Sequence, residues 1–431
     1  MRRYLVGLVG ACAIGSAPAS AETLYDALFA AQSTNPQLGV QKAQQEISEE
    51  QLRSAQGARR PNVELTSSAD VTRIDTDGPV FANINVGRIE TIQAQLQATQ
   101  PIYAGGRISA GVREARAGVS ASDALLEAAT QDTFLQTITA YVDVRQNREA
   151  VEIQKSSVNL LTEQLTAAQD RFEVGEITRT DVALAEARLE GARANLAAAD
   201  AQLEANEALY ESVVGFRAGD LVPPPPIGEL PENFDVALAL AIDSNPNIKA
   251  AQFNELAAEQ AVKTARAELR PELNFVATAA VQQQFNEDIT FPEITNTSLA
   301  ALAQARIPIY QGGIARAQVR SAKLEAAQAK LDIETQRRST IADVSQFWYA
   351  YSSARAAIAA SERQVTAARI AYEGGVEELA VGVRTTLDVL DQEQDLLEAR
   401  LNLSQSQRDA YVAAHQLLRA VGKLTPERFG L

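Results

Sequence analysis

A single cysteine and a single histidine among 431 residues leave this chain almost no material for the commoner catalytic centres. The cysteine, Cys12, lies in a stretch that reads as a secretory leader over residues 1–21. Arg2 and Arg3 form its basic end, Tyr4 to Ile14 its apolar part and Ala19-Ser20-Ala21 its small-residue cleavage site. A lipid anchor on Cys12 is the sharper alternative, but the Ala-x-Ala site lies downstream and removes the residue. Cleavage before Glu22 leaves no thiol, which excludes disulfides, cysteine nucleophiles and cysteine metal ligands. His415 sits among Tyr411, Leu417 and Leu418 and reads as a packing residue, so histidine triads and zinc sites lack their parts too. No enzyme, cofactor or metal is expected. Beyond residue 21 there is no run of about 18 apolar residues, so no transmembrane helix is available. Positive charge is also short: 39 Lys and Arg against 55 Asp and Glu give a net charge of -16, which repels nucleic acid. Aromatics make up only 5% of the chain and alanine is abundant, a mixture that suits long, closely packed helices better than one thick core.

What is present is present twice. Ser33-Thr34-Asn35-Pro36 recurs as Asp243-Ser244-Asn245-Pro246, and Arg60-Pro61 recurs 210 residues on as Arg270-Pro271. PIYAGG at 101–106 returns 207 residues later as PIYQGG at 308–313, and VGEITRTDV at 174–182 returns at the same interval as VGVRTTLDV at 381–389. Order and spacing persist over nearly the whole chain, which marks a duplication. The first repeat spans 22–222 and the second 232–431. The linker at 223–231 opens with Pro223 to Pro226, which favour a stiff, extended segment.

Each repeat follows one plan. A helix of about 24 residues starts near Pro36 or Pro246 and stops before the Arg-Pro pair. The period then changes to two: Val63, Leu65, Ala69 and Val71 alternate with polar residues, as do Ile92, Ala94, Leu96 and Ala98 with Gln93, Gln95, Gln97 and Thr99. Strands are predicted at about 61–73, 89–101, 271–285 and 297–308, with polar loops at 74–88 and 286–295. Long helices follow at about 105–173 and 312–378, each roughly 100 Å at 1.5 Å per residue. Returning helices at about 180–214 and 385–421 carry heptad seams. One runs Val182, Ala185, Leu189, Ala192 and on to Tyr210, the other Val389, Gln392, Leu396, Ala399 and on to Leu417.

Four amphipathic strands are too few to close a barrel, for which about eight are needed, and an open sheet cannot sit in lipid with its edge amides unsatisfied. One solution is a soluble sheet packed on helices, in a periplasmic coiled-coil adaptor or scaffold. The other is a barrel shared by several chains, oily side to lipid and glutamine-rich side to water: three chains would supply twelve strands, two would supply eight. The pattern favours the shared barrel.

The two repeats, the paired strands, PIYxGG at the strand-to-helix junction and the tips VGEITRTDV and VGVRTTLDVLDQEQDLLEARLNL together resemble the outer-membrane efflux protein family, the TolC-like channels. The resemblance covers the chain from residue 22 onward. It implies a mainly α protein with a membrane β-barrel: a homotrimer sharing twelve strands, continued by a long α-helical coiled-coil barrel into the periplasm. It further implies a passive exit duct in the outer membrane. The duct would contact outer-membrane lipid and serve a tripartite efflux or type I secretion system with a periplasmic adaptor (membrane fusion) protein and an inner-membrane transporter.

At the tips, Thr178 with Asp181 and Thr385 with Asp388 have capping-box spacing, threonine as N-cap and the acid at the third helical position. Asp391 has no such explanation, and its first-repeat counterpart is Leu184. It reads either as an ordinary solvated helix face or, in an oligomer, as a ring of carboxylates. The resemblance selects the ring: Asp388-x-x-Asp391 matches the family's periplasmic constriction. It also implies a latch in which Arg384 bonds to Thr180 and Asp181 across a chain boundary. Val174-Gly175 and Val381-Gly382 match the turns where the family's adaptor docks. One departure stands out: Leu379 occupies the place where the family often has a latch tyrosine.

Overall fold

The computed structural model describes residues 21–73, 88–286 and 293–430. The proposed leader, but for Ala21, and most of the two strand-joining loops lie outside the described residues. The first repeat folds as α1 (Leu24–Thr34), α2 (Pro36–Gly57), β1 (Asn62–Arg73), β2 (Arg88–Ala104), α3 (Arg107–Glu173) and α4 (Arg179–Val214). The second is α5 (Phe234–Ser244), α6 (Pro246–Ala267), β3 (Glu272–Asn286), β4 (Glu293–Arg306), α7 (Ile314–Ala380) and α8 (Thr386–Ala420).

The short helices α1 and α5 are additions to the plan read from sequence. Each ends because an asparagine, Asn35 or Asn245, precedes a proline and takes extended backbone (ψ 119° and 122°). In the first repeat that asparagine also caps α2: Asn35 Oδ1 accepts from the N–H groups of Gln37 and Leu38 at 3.0 and 3.2 Å.

All four strands form one antiparallel sheet in the order β1-β2-β3-β4. Its register repeats the duplication. Asn62 faces Thr99, and the residues 210 and 207 positions further on, Glu272 and Arg306, face each other in β3 and β4. The strand β4 departs from the sequence reading at both ends. It begins at Glu293 instead of 297, because Glu293 to Asn296 pair with Phe285 to Gln282. It ends at Arg306 instead of about 308, because Arg306 faces Glu272, the first residue of its partner β3. The strand β2 runs longer than predicted, to Ala104, because β3 pairs with it past a register shift between Pro101 and Tyr103.

By contacts the chain forms two compact units. One comprises residues 40–126 and 246–338 and holds the sheet; the other comprises residues up to Gly39, Glu127–Asn245 and Ser339 onward. In the latter, Leu24, Leu28, Phe134, Ile138, Tyr141, Tyr210, Val412 and Leu418 share an apolar core. Glu22 is tied into it: Tyr210 donates to its carboxylate, and the Gly219 N–H donates to Oε2 at 2.8 Å. On α4 the buried positions include Ala185, Leu189, Ala192, Asn206 and Tyr210, the seam positions of the heptad reading. The helix α8 buries two stripes. Val389, Leu396, Ala399, Ala410 and Leu417 form the predicted seam, and Leu390, Glu393, Leu397, Ser404, His415 and Leu418 form a second. That second stripe is tied to α3 by Ser157–Glu393, Glu149–Ser404 and Asp143–Arg408, with Asp132–Arg419 near its end. His415 is a buried packing residue whose Nδ1 lies 2.8 Å from the Tyr411 carbonyl; burial holds its pKa below the usual imidazole range.

Candidate functional site

The two tips are built on the same backbone. Where α3 ends, Gly175 takes φ +78° and the Glu176 N–H returns to the Arg171 carbonyl at 2.9 Å. Where α7 ends, Gly382 takes φ +74° and the Val383 N–H returns to the Glu378 carbonyl, also at 2.9 Å. Both are helix stops that require a left-handed residue, which is why each turn carries glycine. Val174, Val381 and Val383 are left exposed at the turns.

The helices after these turns start on the capping boxes that the Thr-x-x-Asp spacing predicts. Asp181 Oδ2 accepts from the Thr178 N–H and hydroxyl, both at 2.8 Å. Asp388 Oδ2 accepts from the Thr385 N–H at 3.1 Å and its hydroxyl at 2.7 Å, and the Thr385 Oγ accepts from the Asp388 N–H at 3.2 Å. These hydrogen bonds hold both carboxyls below the usual aspartate range. Asp388 is therefore anchored by its own helix start.

Asp391, one turn deeper, is held by another helix. Arg188 of α4 donates from Nη2 to Asp391 Oδ1 at 2.6 Å. Two residues further, Glu393 is only 6% exposed, and its Oε1 accepts from the Ser157 hydroxyl of α3 at 2.7 Å. Burial pushes its pKa up, against the hydrogen bond from Ser157 and the charges of Arg188 and Arg400. Glu393 borders a cavity of about 170 Å³ shared with Ser156, Ser157, Tyr372 and Arg400. Three consecutive odd-numbered side chains, Asp391, Glu393 and Asp395, thus meet different surroundings: an arginine, a buried serine and solvent.

Arg384 lies in the turn before α8. It forms an ion pair with Glu378; with the Gln392 amide oriented to satisfy its neighbours, Arg384 Nη1 donates at 2.8 Å to the amide oxygen and the amide nitrogen donates to the Ala371 carbonyl at 3.2 Å. Gly375 makes room for that glutamine: a Cβ there would come within 1.8 Å of it. Within one chain no ion pair joins Arg384 to Asp181, and Thr180 is exposed. Leu379 lines a cavity of about 270 Å³ with Leu160, Gln164, Tyr372, Val376 and Val389, so the site offers an apolar contact where a tyrosine would offer a hydroxyl.

Sequence reasoning picked out Asp388, Asp391 and Arg384 but missed Arg188, Gln392 and Glu393. A signal for Glu393 exists: it interrupts the apolar 3–4 spacing Leu390, Glu393, Leu397, and a charge inside such a stripe needs a partner. Arg188 carries no such mark, since only the fold brings α4 beside α8.

Comparison with known proteins gives this geometry its setting. The family profile described as Outer membrane efflux protein matches residues 28–214 and 237–423, one match per repeat. The Brucella suis outer membrane efflux protein BepC is 33% identical over 98% of this chain and 90% of its own length. The Pseudomonas aeruginosa alkaline protease secretion protein AprF is 26% identical, covering 97% of this chain and 88% of AprF. Among solved structures, the Campylobacter jejuni CmeC outer membrane channel superposes with a TM-score of 0.81 over 93% of this chain and 86% of CmeC, at 16% identity, and so shares the fold. These matches carry the outer-membrane channel reading and leave the soluble adaptor without support. Among the described residues no helix is long and apolar enough to cross a membrane.

Proposed function

The chain belongs to the outer membrane efflux protein family, and from that premise we propose a gated exit duct made of three copies. Each copy would give four strands to a twelve-stranded barrel whose apolar face meets outer-membrane lipid and whose glutamine-rich face lines water. The helices would continue the passage into the periplasm. There an adaptor would dock on the exposed turns at Val174-Gly175 and Val381-Gly382, and an inner-membrane transporter would supply the energy. The relatives named for efflux and for protease secretion leave both cargo classes in view.

The gate is assigned to the start of α8. The observation that carries it is the placement of Asp388 and Asp391 three residues apart at a helix start, exposed, with Asp388 fixed by its cap. Three copies would stack two acidic rings, which attract cations and exclude anions. The Arg188–Asp391 pair sets the resting state: it holds α8 to α4 and offsets part of the ring's charge. Opening requires α8 to leave α4, which breaks that pair and strengthens the field. Arg384, turned to Glu378 and Gln392 inside one chain, stands at the edge of the tip, where a neighbouring copy's Thr180 and Asp181 would complete the cross-chain latch.

Single-channel conductance in a planar bilayer tests this with detergent-purified protein, wild type beside Asp391→Ala. A small cation-selective conductance that loses selectivity or divalent block in the variant supports the ring. Equal selectivity in both would remove Asp391 from the gate, and absence of conductance from the wild type would remove the duct.

A further inference from the structure

Two cavities behind the second tip play no part in the ring or the latch. The larger, about 270 Å³, is walled by α3, α7 and the start of α8. The smaller, about 170 Å³, is walled by the same three helices further along. Leu160 of α3 and Tyr372 of α7 border both, so the two spaces meet at those side chains. Every wall residue belongs to one compact unit. Together the cavities reach the size of small-molecule pockets, about 300–1,000 Å³.

Their acceptors lack donors. In the smaller cavity the buried Glu393 carboxylate accepts from the Ser157 hydroxyl at 2.7 Å, and among the described residues no ion pair joins it. A carboxylate has room for about four donors. Arg188 and Arg400 act on it through space, but Arg188 is committed to Asp391 and Arg400 is exposed to water. A buried carboxylate in this state favours any cation that can reach it. In the larger cavity Gln164 Oε1 is buried with no donor. Glu163 and Arg171 border that cavity as opposite charges, and Ala168, Val376, Leu379 and Val389 make much of the rest of its lining apolar. One end therefore calls for positive charge and the other for an apolar body.

We infer that the joined cavities bind an amphipathic organic cation, with its ammonium on the Glu393 carboxylate and its apolar body past Tyr372 against Val376, Leu379 and Val389. The ammonium supplies the cation that Glu393 lacks, as a charge-assisted hydrogen bond in a site shielded from water. A neutral alcohol of the same shape brings one donor and no charge, and a carboxylate is repelled. A hydroxyl or amide N–H on the body would meet Gln164 Oε1. Binding has a consequence for the gate. The walls come from α3 on one side and from α7 and α8 on the other, so a bound cation ties them together. A ligand shifts an equilibrium by its differential affinity for the two states. This one binds where the walls adjoin, so it holds the tip closed. That consequence rests on the gate reading, and the binding itself does not.

Isothermal titration of the detergent-purified full chain with phenylbutylamine tests the site, with phenylbutanol and phenylbutyrate as neutral and anionic comparators. The amine should bind saturably, at least about tenfold tighter than either comparator, in keeping with a charged hydrogen bond. Glu393→Gln should remove that preference and leave the alcohol's affinity unchanged. Leu379→Phe fills part of the larger cavity and should weaken amine and alcohol alike; it keeps the test decisive if Glu393→Gln impairs assembly. Equal affinities for amine and alcohol overturn the site, as does a preference for the carboxylate, which would assign recognition to Arg171 or Arg400. Amine uptake unaltered by both variants also overturns it and marks partition into detergent. In a planar bilayer, saturating amine should lower the open fraction of the wild type and leave that of Glu393→Gln unchanged. Specific binding with an unchanged open fraction keeps the cation site and overturns its tie to the gate.

Discussion

The two tips began as the same sequence and now do different things. Both keep a glycine with positive φ, Gly175 and Gly382, and both keep a threonine with an aspartate three residues on. Around that frame the second tip has changed its chemistry. Arg384 stands where the first has Ile177, Asp391 where it has Leu184 and Gln392 where it has Ala185. Glu393 is buried against Ser157, while its counterpart Glu186 is exposed. Residues that the backbone demands persist in pairs because either copy loses its turn without them. Side chains that meet neighbouring helices are free to diverge, because each copy has different neighbours. This asymmetry is the reason the proposed gate is assigned to α8.

The largest effects should be the symmetric ones. Gly175→Val and Gly382→Val force a β-branched residue into left-handed backbone, at about 1–3 kcal/mol each. A Cβ at either position meets nothing within 4 Å, so only the backbone strain enters and the two costs should match. Amide hydrogen exchange in the first turns of α4 and α8 reads the loss as local opening. A cost confined to one tip would show that surroundings, and not the shared turn, set the requirement.

A smaller effect should separate the tips. Arg188 and Asp391 are partly exposed, so Arg188→Ala should lower stability by only about 0.2–1 kcal/mol. Its expected effect on conduction is larger: a higher open fraction and stronger cation selectivity, since the proposed acidic ring would lose its counter-charge. The equivalent residue in the second repeat is Asp395, which faces solvent, and Asp395→Ala should leave both unchanged. Exchanging the partners, Arg188→Asp with Asp391→Arg, should return the open fraction toward wild type. Equal effects from Arg188→Ala and Asp395→Ala would mean that net charge, not the pair, is being measured.

These contrasts also explain what could be read without coordinates. The duplication, the strand set, the long helices and the capping boxes are written locally, in periodicity, in Thr-x-x-Asp and in glycine placement. The short helices α1 and α5 escaped because eleven residues give too little periodicity beside the stronger Asn-Pro stop at the end of each. Arg188 escaped for a different reason. Its partner is 203 positions away, on a helix whose neighbours no local pattern names. The end of β4 was placed two residues late because its alternation runs on past Arg306, while its partner β3 begins at Glu272.

The smallest and most discriminating effect concerns pH, because the second tip carries carboxylates shifted in both senses and the first carries the lowered cap. Asp181 and Asp388 are lowered by hydrogen bonds from Thr178 and Thr385. A lowered carboxylate contributes stability that is present above its unfolded value, about 3.9, and is lost as pH falls through the folded value. Both caps should therefore hold down to about pH 4 and loosen together below it. Glu393 is raised by burial, so its contribution has the opposite sign. It is fully present below the unfolded value, about 4.3, and is lost as pH rises through the folded value. The charged groups near it are Arg188 on α4 and Arg400 on α8, with Tyr372 on α7 and the Ser157 hydroxyl on α3. Both arginines favour the carboxylate, so the upward shift is what remains after their opposition. Acidification from neutrality toward pH 4.5 should slow exchange in α8 around Glu393, after correction for intrinsic rates, and leave the matching turn of α4 unchanged. Glu393→Gln should abolish that difference while Asp391→Asn preserves it. If α4 and α8 respond alike, the pH effect belongs to the shared caps, and the buried carboxylate plays no part in holding α8 to α3.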